Sequence, residues 1–425
     1  MTYIEFFDSV SIENICACLT MAPERVICLG PDLKPMEKCI AACKKVFEKR
    51  GHEIEFICKT LPKNDLGKAV SVLTEIVETY ENCAFDIMGG EEILNVALGI
   101  VYERYPEKNI QVHKFNVQSG VLYDCDSDGE TVYNDVPALN IEENVQIYGG
   151  DVLFGGVSDY GTYDWNLSDE FIGDVEQMWK ICKGHIKFWN LQITIFSAME
   201  TVGNCEDGLT TVVSKKTLDA YLEKNRIKKV TDDDIVRALI KNDLLTYYND
   251  DGETVTISYK DLQIKRCLTK AGQALEMKIY VTAWALKEKD GSYVYNDALN
   301  GVVIDWDGKY HDENQHNYYD TENEVDIMLM KGVIPVFISC KNGYFDTDEL
   351  YKLSTVAERF GGKYSKKVLI TTMIDTFGEA KNHILQRAED MNITVIKNIQ
   401  DMTDIDLADE LRYLWNNKSR KGERK

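Results

Sequence analysis

Asn323-Glu324-Val325-Asp326-Ile327-Met328-Leu329-Met330-Lys331-Gly332-Val333-Ile334-Pro335-Val336-Phe337-Ile338-Ser339-Cys340-Lys341 reads as two apolar strands folded back on each other. The pattern predicts strands over 324–330 and 333–340, joined by a turn at Lys331-Gly332. Side chains alternate between the faces of a strand, so Glu324 and Asp326 share one face, as do Ser339 and Lys341. Pairing symmetric about that turn puts Glu324 opposite Ser339, with Lys341 one diagonal step away. Two carboxylates and an ammonium then converge. Phosphodiester hydrolysis needs such a set: oxygen ligands for magnesium (Mg2+) or manganese (Mn2+), and a cation that positions the nucleophile or steadies the transition state. The plainer alternative leaves Glu324 and Asp326 facing solvent and makes Lys341 the end of a strand.

Around this hairpin the pattern is a helix through 271–287, a strand at 301–306, a helix at 346–360 and a strand at 367–371. A last strand at 394–397 and a helix at 404–415 follow, so the region reads as an αβββαβ core with one more strand and helix. Upstream, 205–270 carries two helices, at 216–225 and 232–242, then two strands around Asn249-Asp250-Asp251-Gly252, the order of a winged helix. Its second helix opens with Asp232-Asp233-Asp234, which suits a spacer better than a reader of DNA. Residues 123–140 are acidic and turn-rich, and 145–153 with 177–196 read as a connecting hairpin and one long helix. Residues 1–117 alternate strands (3–7, 25–29, 54–57, 84–88) with helices, the signature of a parallel, Rossmann-like sheet. The expected fold is therefore α/β throughout. Its domains run over 1–148 (the Rossmann-like sheet), 149–204 (linker and interface), 205–270 (winged-helix-like spacer) and 271–425 (the domain holding the carboxylates).

At 425 residues the chain exceeds one core, and two to four domains are expected. The net charge of −23 repels a polyanion, so nucleic acid would need a locally basic face or a metal-filled site. The short basic tail Lys418-Ser419-Arg420-Lys421 is a small example, more simply read as a solvated terminus. No apolar run reaches the roughly 20 residues of a membrane span, which predicts a soluble, cytoplasmic protein without a membrane partner. The 12 cysteines do not form a zinc-type spacing and read as reduced thiols.

Phe85-Asp86-Ile87-Met88-Gly89-Gly90-Glu91-Glu92 sets a glycine pair between a strand and a helix, where backbone amides can approach a phosphate or ribose. A tight strand-to-helix turn is the plainer account. Gly30-Pro31 ends the second strand without the glycine pattern of a nicotinamide dehydrogenase.

The hairpin resembles motifs II and III of the PD-(D/E)xK restriction-endonuclease-like superfamily. More specifically, it resembles the nuclease half of CRISPR ancillary effectors, in which a CARF domain that binds cyclic oligoadenylates is fused to such a nuclease. Gly272-Gln273-Ala274-Leu275-Glu276 resembles the motif I helix, and Ile304-Asp305-Trp306-Asp307-Gly308 and Arg359-Phe360-Gly361-Gly362 keep the family order; together they cover 271–371. The glycine-pair turn resembles the CARF ligand turn, and Asp8-Ser9-Val10-Ser11-Ile12-Glu13-Asn14 resembles that family's other ligand loop, over about 1–117.

The resemblance implies Glu276 and Asp326 as metal ligands, Lys341 as catalytic lysine and Glu324 as an auxiliary acid and ligand. Ser339 stands where the third motif normally has an acid, and Glu324 is its natural substitute. The implied ligand-binding residues are Asp8, Ser9, Val10, Ser11, Asn14, Gly30, Met88, Gly89, Gly90 and Glu91. The implied protein is a homodimer that takes cyclic tetra-adenylate across paired N-terminal domains. With Mn2+ or Mg2+ it then cuts single-stranded RNA, single-stranded DNA or both in type III CRISPR antiviral defence. The rival is a ligand-responsive, non-catalytic regulator whose nuclease domain is degenerate. His311 and His316, in the acidic loop before the hairpin, could touch metal, although exposed loop histidines are usually idle.

Overall fold

The computed structural model describes residues 1–8, 12, 15–125, 131–133, 136–155, 161–229, 233–308 and 322–415. Ser9, Val10, Ser11, Asn14, Asp232, His311, His316 and the basic tail lie outside them. The chain opens with β1 (Thr2–Phe6), α1 (Cys16–Met21), β2 (Arg25–Gly30), α2 (Leu33–Lys49), β3 (Glu55–Thr60), α3 (Leu66–Thr79), β4 (Cys83–Asp86), α4 (Glu92–Arg104), β5 (Gln111–Asn116), β6 (Val121–Asp124) and β7 (Thr131–Tyr133). Their sheet has the order β3-β2-β1-β4-β5-β6-β7. The first five strands in that order pair in parallel, and β6 and β7 add antiparallel ribbons that the sequence pattern did not reveal. Chain order reverses between β1 and β4, which opens a crevice at their carboxyl ends. Each helix buries one stripe; on α3 the stripe is Ala69, Leu73, Ile76 and Val77.

The expected connecting hairpin at 145–153 is instead α5 (Ile141–Ile147) followed by β8 (Asp151–Leu153). Asn140 and Glu143 form a reciprocal capping box that starts the helix, a signal present in the sequence and outvoted by its apolar run. The expected long helix is two, α6 (Asp169–Gly184) and α7 (Ile186–Val202), because Gly184 is a weak helix former and His185 leaves helical geometry at φ −125°. Next come β9 (Asn204–Cys205), β10 (Thr210–Ser214), α8 (Lys215–Lys224), α9 (Asp233–Lys241), β11 (Leu245–Asp250) and β12 (Thr254–Tyr259), a winged-helix arrangement with sheet order β11-β12-β10-β9.

The last part runs α10 (Leu262–Thr269), α11 (Gln273–Ala285), β13 (Asp297–Asp305), β14 (Glu322–Lys331), β15 (Ile334–Lys341), α12 (Asp348–Gly361), β16 (Lys366–Thr371), α13 (Ala380–Asp390), β17 (Ile393–Lys397) and α14 (Asp404–Tyr413). Its sheet order is β17-β16-β15-β14-β13-β8, so β8, from the segment between the first sheet and the winged helix, forms its edge. The sequence pattern missed α13; parallel pairing of β16 with β17 requires such a crossover. Helix α11 is buried along most of its length against this sheet, which explains why its apolar residues show no stripe. One buried cluster runs from Tyr3, Phe47 and Phe115 through Ile141 and Val145 to Phe337 and Phe360, so α5 ties the first sheet to the last.

Candidate functional site

Strands β14 and β15 pair antiparallel with Lys331 opposite Ile334 and Ile327 opposite Ile338. The turn is therefore Gly332-Val333, with Gly332 alone of the two at positive φ (62°), the geometry that glycine at the first central position allows. This moves the register by two residues from the symmetric expectation. Asp326, rather than Glu324, meets Ser339: its Oδ2 accepts the Cys340 backbone N–H at 2.6 Å and the Ser339 hydroxyl at 3.3 Å. Parity survives the shift, so the residue types predicted to share a face still do.

Around Asp326 the site assembles from five elements: α11, β13, β14, β15 and α12. Lys341 Nζ lies 3.6 Å from Asp326 Oδ2 and 2.9 Å from Glu349 on α12. Burial works against the Lys341 charge, but Asp326 and Glu349 outweigh it and its pKa is raised. Glu276, on the first turn of α11 and 5% exposed, is held by the Asn300 amide, which lies 3.5 Å from its Oε2 and donates to the Asp326 carbonyl at 3.0 Å. Gln273 orients Asn300 by donating to its Oδ1 at 2.7 Å. Burial, then the Asp326 charge, push the Glu276 carboxyl up to about 8. Glu324 stands at the rim, ion-paired with Lys270, whose ammonium is also 4.0 Å from Glu276. Burial opposes the charge on Lys270, and the two glutamates more than restore it. The buried Cys340 thiol is pushed well up by desolvation and the Asp326 charge, which makes it a poor nucleophile.

These groups can hold a hard divalent cation. Glu276 and Asp326 are oxygen donors, and because burial, then the Asp326 charge, raise the Glu276 carboxyl, a cation bound there would displace a proton. Among the described residues no three His, Cys, Asp or Glu side chains form a ready cage. Mg2+ needs none, because it retains waters and commonly takes one or two carboxylates plus substrate phosphate. Ser339 adds a weak neutral donor. Lys270, Asn300 and Glu349 escaped the sequence reading, which quoted Gln273 only as part of the motif around Glu276; no spacing announces that these groups meet.

In the first sheet, the loops after β1 and β4 lie side by side because those strands pair. A Cβ on Gly89 would sit 2.5 Å from the Phe6 carbonyl and 3.0 Å from Asp8 Cβ, and Gly90 adopts φ 82° with Phe6 as close. Glycine here lets the Met88-Gly89-Gly90 turn close on Asp8, and the Met88 N–H is tied to Asp86 at 2.8 Å. Gly30, at the end of β2, is packed against Phe7 and Met36. Glu91 stands at the N-cap position of α4 without a side-chain cap, its carboxylate paired with Lys63 at 3.3 Å. Arg359 donates to the carbonyls of Tyr148 and Trp306, so this motif braces α12 against α5 and β13.

The architecture is an N-terminal Rossmann-like sheet, a winged-helix-like middle and a C-terminal mixed α/β sheet. Solved structures share it from end to end. Protein VC1899 from Vibrio cholerae matches with a TM-score of 0.71 over 97% of each chain, at 16% identity. Can2 from Sulfobacillus thermosulfidooxidans, solved in complex with cyclic tetra-adenylate, matches with a TM-score of 0.61 over 97% of each chain, at 14% identity. At such identities the likeness is one of fold. Neither a protein-family model nor a curated protein matches the sequence.

Proposed function

We propose that this chain is a nuclease activated by a cyclic oligoadenylate, cyclic tetra-adenylate first among them, and that it cleaves single-stranded RNA or DNA with Mn2+ or Mg2+ in type III CRISPR defence. The observation that carries the proposal is the convergence of Glu276, Asp326 and Lys341 from three elements, in the chain order of a PD-(D/E)xK site. The fold shared with Can2, a protein solved with cyclic tetra-adenylate, favours that activator at the N-terminal crevice.

Glu276 and Asp326 would hold the metal, which supplies Lewis-acid neutralisation of phosphate charge and a more acidic water. Asp326 is aimed by the Cys340 amide, and Asn300 fixes Glu276 relative to it. Lys341, kept charged by Asp326 and Glu349, faces the place where negative charge grows on the phosphate oxygens during attack. Glu324 serves at the rim as the auxiliary acid. In a homodimer, activator across the paired N-terminal crevices would favour one arrangement of the C-terminal sheets, provided it binds that arrangement more tightly.

The test incubates labelled single-stranded RNA and DNA with the full chain, Mn2+ or Mg2+, and each cyclic oligoadenylate, beside Lys341→Ala and Asp326→Ala. Activator-dependent cleavage lost in both variants is expected. No cleavage by the native chain, or equal cleavage by the variants, overturns the proposal.

A further inference from the structure

Beside the carboxylates lies a cavity of about 200 Å³ whose wall includes Tyr163, Trp165, Arg266, Lys270, Asn300 and Glu324. It is smaller than the roughly 300–1,000 Å³ of drug-sized sites and suits one planar fragment. Asn300, Lys270 and Glu324 belong to both places: Asn300 and Lys270 touch Glu276, and Glu324 pairs with Lys270. A group seated in the cavity is therefore a direct neighbour of one bound at Glu276 and Asp326.

The wall is built for a flat polar ring on an anionic backbone. Arg266 lies over the Tyr163 ring at 4.4 Å from its centroid, and Tyr163 meets Trp165 edge-on at 4.7 Å. Trp165 is 7% exposed and stacks on Phe171, yet its indole N–H has no hydrogen-bond partner among the described residues. A buried N–H left unmade is costly, so a site that keeps one has use for it with a ligand acceptor. The loop bearing the aromatics is fixed: Val303 N–H donates to Thr162 Oγ1 at 2.9 Å, and Gln263 on α10 exchanges hydrogen bonds with the Asn166 backbone. Arg266 also brings a cation to the site of a chain whose net charge is −23, beside Lys270, which Glu276 and Glu324 already hold.

We infer that this cavity seats the base of the nucleotide flanking the scissile phosphate, stacked against Tyr163 and Arg266 with an acceptor toward the Trp165 N–H. Aromatic and guanidinium faces hold single-stranded bases in a sequence-tolerant way, and the indole donor adds preference for a base with an exposed acceptor. The inference rests on the nuclease proposal for the neighbouring site, and binding separates the two.

The full chain, with cyclic tetra-adenylate and Ca2+ in place of the catalytic metal, is irradiated with single strands carrying 4-thiothymidine or 4-thiouridine, and cross-links are mapped by mass spectrometry. Cross-links on the peptide bearing Tyr163 and Trp165 are expected. In parallel, cleavage with Mn2+ is measured for the native chain, Tyr163→Ala and Trp165→Phe, the last preserving the ring and the fold. Tyr163→Ala should raise KM roughly tenfold, the scale of one lost base stack. Trp165→Phe should raise it about threefold, the scale of one hydrogen bond, and alter the distribution of cut positions. Cross-links confined to other peptides, or unchanged KM and cut positions in both variants, overturn the inference even when the native chain cleaves. Cross-links at the cavity without cleavage by the native chain uphold the seat for a base and sink the nuclease proposal, and with it the assignment of that base to a scissile phosphate.

Discussion

Glu5 on β1 and Glu276 on α11 are both buried acids, 2% and 5% exposed, and both carboxyls are raised, yet among the described residues only Glu276 has an ammonium beside it. Glu5 stands beside Asp86 in the parallel register and accepts a hydrogen bond from the Cys18 thiol at 3.0 Å. Burial first, then the Asp86 charge, hold its carboxyl well above the ordinary range, so Glu5 is a neutral interior group. It adds no charge beneath the Gly89-Gly90 turn, which suits a crevice for an anionic activator. Glu276 is also raised, but it has the Lys270 ammonium at 4.0 Å and shares Asn300 with Asp326, whose carboxylate faces Lys341. Burial and a neighbouring aspartate raise both acids; at Glu276 alone a lysine, Lys270, pulls the other way. The two ends of the chain should therefore respond differently to mutation, metal and pH.

The largest contrast concerns Lys341→Ala. It should lower kcat on the order of 10³-fold, the cost of losing one charge-stabilising group, while leaving activator affinity unchanged. Calorimetric titration with cyclic tetra-adenylate beside cleavage kinetics checks both halves, and a loss of activator binding would erase the contrast. Gly89→Ala should do the reverse. Its Cβ meets the Phe6 carbonyl at 2.5 Å, so the turn must open, with a loss in activator affinity of roughly 10- to 100-fold. Mn2+ binding at the C-terminal site should not change, and a parallel fall there would mean the variant had lost its fold.

Proton linkage sharpens the comparison. Below about pH 8 Glu276 must release a proton to accept a cation. The apparent Kd for Mn2+ should then fall about tenfold per pH unit on approach to that value and level off above it. A flat profile would mean that Glu276 is not a ligand. In EDTA the sign reverses for stability. The unfolded carboxyl ionises near about 4.3, while the folded one holds its proton to about 8, so stability falls as pH rises between those values. Glu276→Gln should remove that slope and raise Tm at pH 8 by roughly 2–4 °C or more, read by scanning calorimetry.

The smallest effect belongs to Glu5→Gln. The amide mimics the neutral acid and can still accept from Cys18, so stability to urea at pH 7 should stay within about 1 kcal/mol of the native chain. A larger loss would place a charge on Glu5 and remove the difference between the two ends.

Local pattern alone carried much of this protein. Alternation in the hairpin fixed which of Glu324, Asp326, Ser339 and Lys341 share faces, because a strand repeats every two residues whatever surrounds it. Strand and helix periods laid out the first sheet and the winged helix, and the glycine pair marked the turn at the crevice. The register of the hairpin was another matter. It depended on whether Lys331-Gly332 or Gly332-Val333 made the turn; the turn forms on Gly332-Val333, with Gly332 at positive φ, and that moved Asp326 rather than Glu324 onto Ser339. Lys270, Asn300 and Glu349 entered the site, and Tyr163, Trp165 and Arg266 formed a cavity, through contacts between segments up to about a hundred residues apart. No spacing rule encodes such contacts, since they exist only once helices and sheets have packed. The sequence thus determined the chemical groups and the faces they occupy. Tertiary packing decided which groups meet, and so which buried acid has a lysine beside it and which, among the described residues, has none.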